Sequence, residues 1–205
     1  MQDQMFNQSW HRLDPRVART EHAIRNALLT ALNSGRDLAS LTVSEIAEQA
    51  GVTRKTFYVR VGSLEQLVES VVYDLFQDIA LEIDDERLKM PIVRNSLSKS
   101  VLHYCQTHQS VLGPLVRQCS ASLFMKPLSK VLTQMLGRIR QVNQTPTLGS
   151  FEQAYLITTI ASVIHGVLRV WVERGFCDAP DQIANFTDTL LIGGLQNILL
   201  ADGGA

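Results

Sequence analysis

The feature that most restricts what this chain can fold into is the length of its uninterrupted helical patterning. Only 12 Gly and 6 Pro are spread over 205 residues, and long stretches carry apolar residues three and four apart, the spacing that gathers them on one helix face. From Ser63 onward, Leu64, Leu67, Val68, Val71, Val72, Leu75, Phe76 and Ile79 keep this period for about four turns. No segment alternates as a strand does. An all-α chain is therefore expected, and 45% hydrophobic residues suffice for a sizeable core, in one large domain or two small ones.

The N-terminal third is the most sharply punctuated part. Asp14 and Pro15 read as N-cap and first residue of a helix carrying Val17, Ile24, Ala27, Leu28 and Ala31, which ends near Ser34 and Gly35. After a short loop, Thr42 and Glu45 form a capping box for a second helix with Val43, Ile46, Ala47 and Ala50 on one face, and Gly51 supplies a left-handed turn. Thr53 caps a third helix reaching about Val59. Too short to be stable alone, it must bury Val52 and Phe57 against the first two and leave Arg54, Lys55 and Tyr58 outward.

Arg54 and Lys55 carry the wrong charge for a helix start, where each cation costs roughly 0.3–1 kcal/mol against the partial positive charge of the helix end. A ligand resolves the conflict. Two short helices joined by a Gly turn and preceded by a third make a helix-turn-helix, whose last helix presents its N-terminal residues to the DNA major groove. A phosphate is drawn by the helix N-terminus and favours both cations once it arrives. The surroundings agree: no acidic residue lies between Glu48 and Glu65, Arg54, Lys55 and Arg60 fall within seven positions, and residues 1–62 carry net +2 against −3 for 63–205.

The stretch LTVSEIAEQAGVTRKTFY, Leu41 to Tyr58, resembles the DNA-binding signature of the TetR family of bacterial transcription regulators in the threonine opening the second helix, the IA pair, the AGV turn and the aromatic-Tyr end of the third helix. Its RKTFY form is similar to a subgroup that includes activators of dihydroxyacetone kinase operons, which respond to a protein partner. The resemblance spans about residues 16–70, with a looser match at SVIHGVLRVWVERGFCDAPDQIANF. It implies an N-terminal helix-turn-helix domain over residues 1–62 and a C-terminal helical bundle over 63–205 that senses a ligand and dimerises through residues 151–200. By position it implies that Thr42 and Tyr58 touch phosphate and that Thr53, Arg54 and Lys55 face bases or phosphate. Family members usually show an aromatic near Arg60 or Val61 and a lysine where Leu64 stands. Arg60 is the candidate substitute for that phosphate contact.

The C-terminal two thirds read as further helices. One begins at Pro91 and runs to about His108. One or two more lie between Leu112 and Val142, separated near Lys126 and Pro127, before the loop Asn143 to Ser150. Two helices close the chain. In the first, Thr158, Ser162, His165, Arg169 and Glu173 form a narrow polar stripe on an otherwise apolar helix, which must be buried on more than one side. The last carries Ile183, Phe186, Leu190, Leu191, Leu195, Ile198 and Leu199, with Gly193 and Gly194 allowing close approach.

Other chemistries find little support. No nucleophile-base pair, phosphate loop or cofactor motif argues for an enzyme. His103, Cys105 and His108 have neither the i, i+4 spacing of a helical zinc site nor a Cys-x-x-Cys clamp, so no metal is expected. Cys105, Cys119 and Cys177 are odd in number and widely spaced, as reduced thiols are, and the N-terminus lacks a secretory pattern, so a cytoplasmic protein is expected. The most membrane-like run, Tyr155 to Val172, is interrupted by His165 and Arg169. The expected function is a dimeric repressor that a small molecule releases from operator DNA, with Tyr104, Phe124, His165, Arg169 and Trp171 near the ligand. The alternatives are an activator or corepressor governed by a protein partner and, remotely, a helical enzyme.

Overall fold

A computed structural model describes residues 15–91 and 97–189. Its helices are α1 (Pro15–Asn33), α2 (Val43–Gln49), α3 (Arg54–Val61), α4 (Leu64–Glu82), α5 (Leu97–Thr107), α6 (Gln109–Gln118), α7 (Ala121–Asn143) and α8 (Ser150–Glu173), followed by α9 over residues 180–189. Among the described residues there is no strand. The chain divides into two compact units, residues 1–78 with 110–127 and residues 79–109 with 128–205. The first unit therefore contains more than the 1–62 segment.

Local chemistry sets the helix limits in the first unit. Gly35, at φ 86°, ends α1 with its N–H on the Leu32 carbonyl, a conformation that a Cβ would strain. A single 3-10 turn, Leu38–Ser40, fills what reads in the sequence as plain loop. The α2 capping box is complete: Thr42 Oγ1 accepts from Glu45 N, and the Glu45 carboxylate accepts from Thr42 N. Thr53 caps α3 by accepting from Thr56 N, and α3 runs two residues beyond Val59 before Gly62. Ser63 Oγ accepts from Gln66 N at the start of α4.

The core of the first unit is built from Ile24, Leu28, Leu32, Ile46, Phe57, Leu67, Leu75, Leu112, Leu115 and Phe124, all almost fully buried. Phe76 meets Phe124 edge to face at 5.5 Å. One ion pair crosses this apolar interior. Arg25 of α1 reaches Asp74 of α4, with side chains only 13% and 8% exposed, and Arg25 Nη2 also donates to Ser70 Oγ. Burial raises the Asp74 pKa, and the guanidinium only partly opposes it.

One expected boundary is wrong. The break after α6 falls at Cys119 and Ser120, and α7 runs straight through Lys126 and Pro127. Proline removes one helix hydrogen bond but fixes φ near the helical value, and Phe124, Leu128 and Val131 around it are buried, so packing outweighs the lost bond. Pro114 is likewise inside α6.

In the second unit, Leu88, Leu102, Cys105, Leu136, Ala161, Leu168, Trp171 and Ala184 form the core. Arg138 of α7 donates to the Ala80 and Ile83 carbonyls and to Asp85, satisfying carbonyls at the end of α4 that have no helical partner of their own. Gly175, at φ 65°, terminates α8 as expected, and Trp171 Nε1 donates to the Asp178 carbonyl. The buried side of α8 is Leu156, Ile157, Ala161, Leu168, Trp171 and Val172, a narrower stripe than its composition suggests. Phe151, Tyr155, Val170 and, on α9, Phe186 stay exposed. By length and composition α8 could cross a membrane; its buried stripe is occupied within this unit instead. Leu190, Leu191, Gly193, Gly194, Leu195, Ile198 and Leu199 lie outside the described residues.

Replacing Arg25 by Ala strands a buried carboxylate and is expected to destabilise the protein by about 3–5 kcal/mol. Burial already raises the folded-state pKa of Asp74 and loss of Arg25 raises it further, so the penalty is larger at neutral pH and shrinks as pH falls and the carboxylate neutralises. Urea melts of both proteins at pH 7 and pH 4.5 check this. An equal difference at the two pH values contradicts it.

Candidate nucleic-acid interface

The candidate surface is built on two helix starts. At α2, Thr42 is exposed, but its chemistry is already engaged: Thr42 N and Oγ1 both donate to Glu45 Oε2, at 2.9 and 2.8 Å. Arg36 Nη1 donates to the other Glu45 oxygen at 3.0 Å. These bonds, that from the Thr42 hydroxyl foremost, hold the Glu45 pKa below its ordinary value. Thr42 therefore reaches a phosphate only by sharing or releasing its acidic partner.

At α3 the expected residues are gathered. Thr53 Oγ1 accepts from Thr56 N at 3.1 Å and lies 2.9 Å from Thr56 Oγ1. Arg54 and Lys55 follow, both exposed, with no acidic residue in the first turn of the helix. Phe57 is fully buried and Tyr58 is 49% exposed, its ring edge to face with Phe57 at 5.9 Å. The aromatic pair ties the outward ring to the buried one, so α3 cannot roll without exposing Phe57.

Arg60 is exposed, yet it has a partner field that the linear pattern does not disclose. Glu21 of α1 is partly buried, which raises its pKa, while Arg25 and then Arg60 pull it down. Arg60 thus stands near α1, its charge partly offset. Leu64, at the opening of α4, is half-buried and offers phosphate no polar atom. Glu21 carries no sequence signal for this role, because only the packing of α1 near α3 brings residues 39 positions apart together.

A surface of this kind, a capped two-turn helix with outward cations beside a second helix start, suits the major groove of a duplex. Residues 30–71 match the family model described as bacterial regulatory proteins, tetR family. The segment that carries this surface is thus a TetR-type helix-turn-helix. Over 60 residues it is 33% identical to the uncharacterized HTH-type transcriptional regulator YxbF of Bacillus subtilis (strain 168), a match spanning 29% of this chain and 16% of that protein. Its fold resembles the dihydroxyacetone kinase operon activator DhaS, with a TM-score of 0.53 at 16% identity over 86% of this chain and 96% of that one. It also resembles the TetR family repressor AlkX from Dietzia sp. strain DQ12-45-1b, with a TM-score of 0.52 at 20% identity over 86% and 98%. NalD, the secondary repressor of the MexAB-OprM multidrug efflux pump in Pseudomonas aeruginosa, gives a TM-score of 0.55 at 15% identity over 88% and 98%.

The residues expected around a ligand are divided between the two units. Phe124 belongs to the first unit, and Tyr104, His165, Arg169 and Trp171 to the second. Tyr104 is buried and stacks on His108 at 4.0 Å. His165 is half-buried, and burial, then Arg169, lowers its pKa. Arg169 is solvent-facing, donating to Glu173, whereas Trp171 is buried. Of the HYCQTH residues, His103 lies against Asp181 at 3.3 Å, and burial pushes the Cys105 thiol up to about 12. Among the described residues no three His, Cys, Asp or Glu side chains form a metal-sized group.

Thr53→Ala removes the α3 cap and is expected to destabilise the protein by about 1 kcal/mol. A thermal melt checks the fold, and a binding isotherm on duplex DNA should weaken more than the melt alone explains, because the groups at the helix start lose their fixed placement.

Proposed function

We propose that this chain is a dimeric repressor, acting in the cytoplasm and without enzymatic activity, that binds an operator through α2 and α3 and is released by a small molecule. The observation that carries the DNA assignment is the start of α3, where Thr53 caps a helix that places exposed Arg54 and Lys55 against an unfavourable dipole, a conflict that a bound phosphate relieves. Thr42, Tyr58 and Arg60 are assigned supporting phosphate contacts, with residues 1–62 as the DNA-binding domain. Residues 63–205 are assigned sensing and dimerisation.

The dimer assignment is supported by α8. Phe151 and Tyr155 are 67% and 65% exposed with their rings 4.6 Å apart. Ser162 and Gly166 follow on the same exposed side, and a Cβ added at Gly166 would meet nothing within 4 Å. Aromatics beside small residues suit close approach of a helix from a second copy. For the sensor, a hundredfold loss of operator affinity requires a ligand preference of about 2.7 kcal/mol for the released conformation, and DNA must weaken ligand binding by the same factor. The RKTFY form of α3 supports a second reading, control by a protein partner. Binding of that partner to the chain without any small-molecule response would favour it.

The test is direct. The full chain should bind duplex DNA with affinity falling steeply with salt, as expected when lysines and arginines displace counterions. The double variant Arg54→Ala, Lys55→Ala should keep its melting temperature and lose specific binding; unchanged affinity for a selected duplex would sink the site. Wild type should sediment as a dimer at micromolar concentration and Tyr155→Glu as a monomer, whereas a monomeric wild type would remove the dimer.

A further inference from the structure

We infer that Val59 is a specificity-determining residue of the DNA surface, reading the 5-methyl group of a thymine in the major groove next to a base contacted by Lys55. The inference rests on the DNA-binding reading of α3 and deepens it. Phe57, fully buried, defines the inward direction of α3. Lys55 and Val59 each lie two residues from it, hence roughly 200° around a helix of 3.6 residues per turn and within about 20° of directly outward. They are four residues apart, on one line. Arg54, Tyr58 and Arg60 flank that line, with the Tyr58 ring drawn toward Phe57. The centre of the outward face is thus one ammonium and one isopropyl group.

Val59 is 70% exposed, and a lone exposed valine is ordinarily unremarkable. Its surroundings set this one apart. The face it shares is cationic, with Arg54 and Lys55 one turn away and no acidic residue between Glu48 and Glu65, so the complementary occupant is a polyanion. Helix formation does not explain it, since a β-branched residue is a weaker helix former than alanine in a helix with little stability to spare. That same branching holds its methyl groups in essentially one rotamer, which suits contact with a fixed apolar target. Among the four bases, only thymine offers a methyl group in the major groove. Lys55 and Val59 are about 6 Å apart along the helix, close to two base-pair steps.

The test uses the full chain and a duplex selected by the wild type from a random-sequence pool. Each thymine is replaced in turn by deoxyuridine, which lacks only the methyl group. At one thymine per half-site, about two base pairs from where Lys55→Ala relaxes preference, deoxyuridine should weaken wild-type binding about fourfold. Val59→Ala should bind the thymine duplex about fourfold more weakly and lose the distinction between the two bases there, with its melting temperature unchanged or slightly raised. Tyr58→Ala should keep the distinction. The inference is overturned if no thymine is sensitive, if Val59→Ala retains the wild-type ratio, or if Tyr58→Ala alone abolishes it. Failure to enrich any duplex sinks the DNA-binding reading and this inference together, whereas an enriched duplex with no Val59-dependent effect sinks the inference alone.

Discussion

The outward face of α3 depends on the burial of one side chain, Phe57. Its helix has eight residues, about two turns, and an isolated helix of that length is not stable in water. Full burial of a phenylalanine supplies roughly 1.5–3 kcal/mol, and together with the Thr53 cap it offsets the two cations at the helix start. Because the ring can be buried in only one orientation of α3, the same contact settles what points away from the protein. The site is a consequence of packing beneath it.

Charge placement on this unit follows a consistent logic. Two acidic groups near the surface are held by specific partners: Glu45 by Thr42 and Arg36, Glu69 by Lys126. Arg54 and Lys55 stand at a helix end with no acid in its first turn. Deeper in, Arg25 and Asp74 join α1 to α4 through a pair whose desolvation exceeds its Coulombic return. Such a pair adds little net stability. It does penalise any sliding of α4 against α1 that would part the two charges, and so keeps the frame behind α3 in register.

The second unit solves a different problem. Arg138 closes the open end of α4 with three acceptors, and Trp171 locks the turn after α8 through its indole N–H. The buried stripe of α8 then covers only part of its circumference. What remains outside runs from Phe151 and Tyr155 past Thr158, Ser162 and Gly166 to Arg169 and Glu173.

Much of this was legible in the sequence because it is local. Capping boxes, positive-φ glycines and the helical period all act within a few residues, so α1 to α4, Thr42, Thr53 and the outward cations could be read directly, and the TetR resemblance rested on the same residues. The Pro127 boundary failed because a proline is a local signal whose effect was overruled by burial of Phe124, Leu128 and Val131, a tertiary property. Glu21 beside Arg60 and Arg25 against Asp74 were beyond reach for the same reason. Amino-acid order by itself determined where helices start and stop and which face of each is apolar; only the tertiary structure decided which apolar faces find partners within the chain and which charges meet, because those depend on contacts between residues tens of positions apart that no local period encodes.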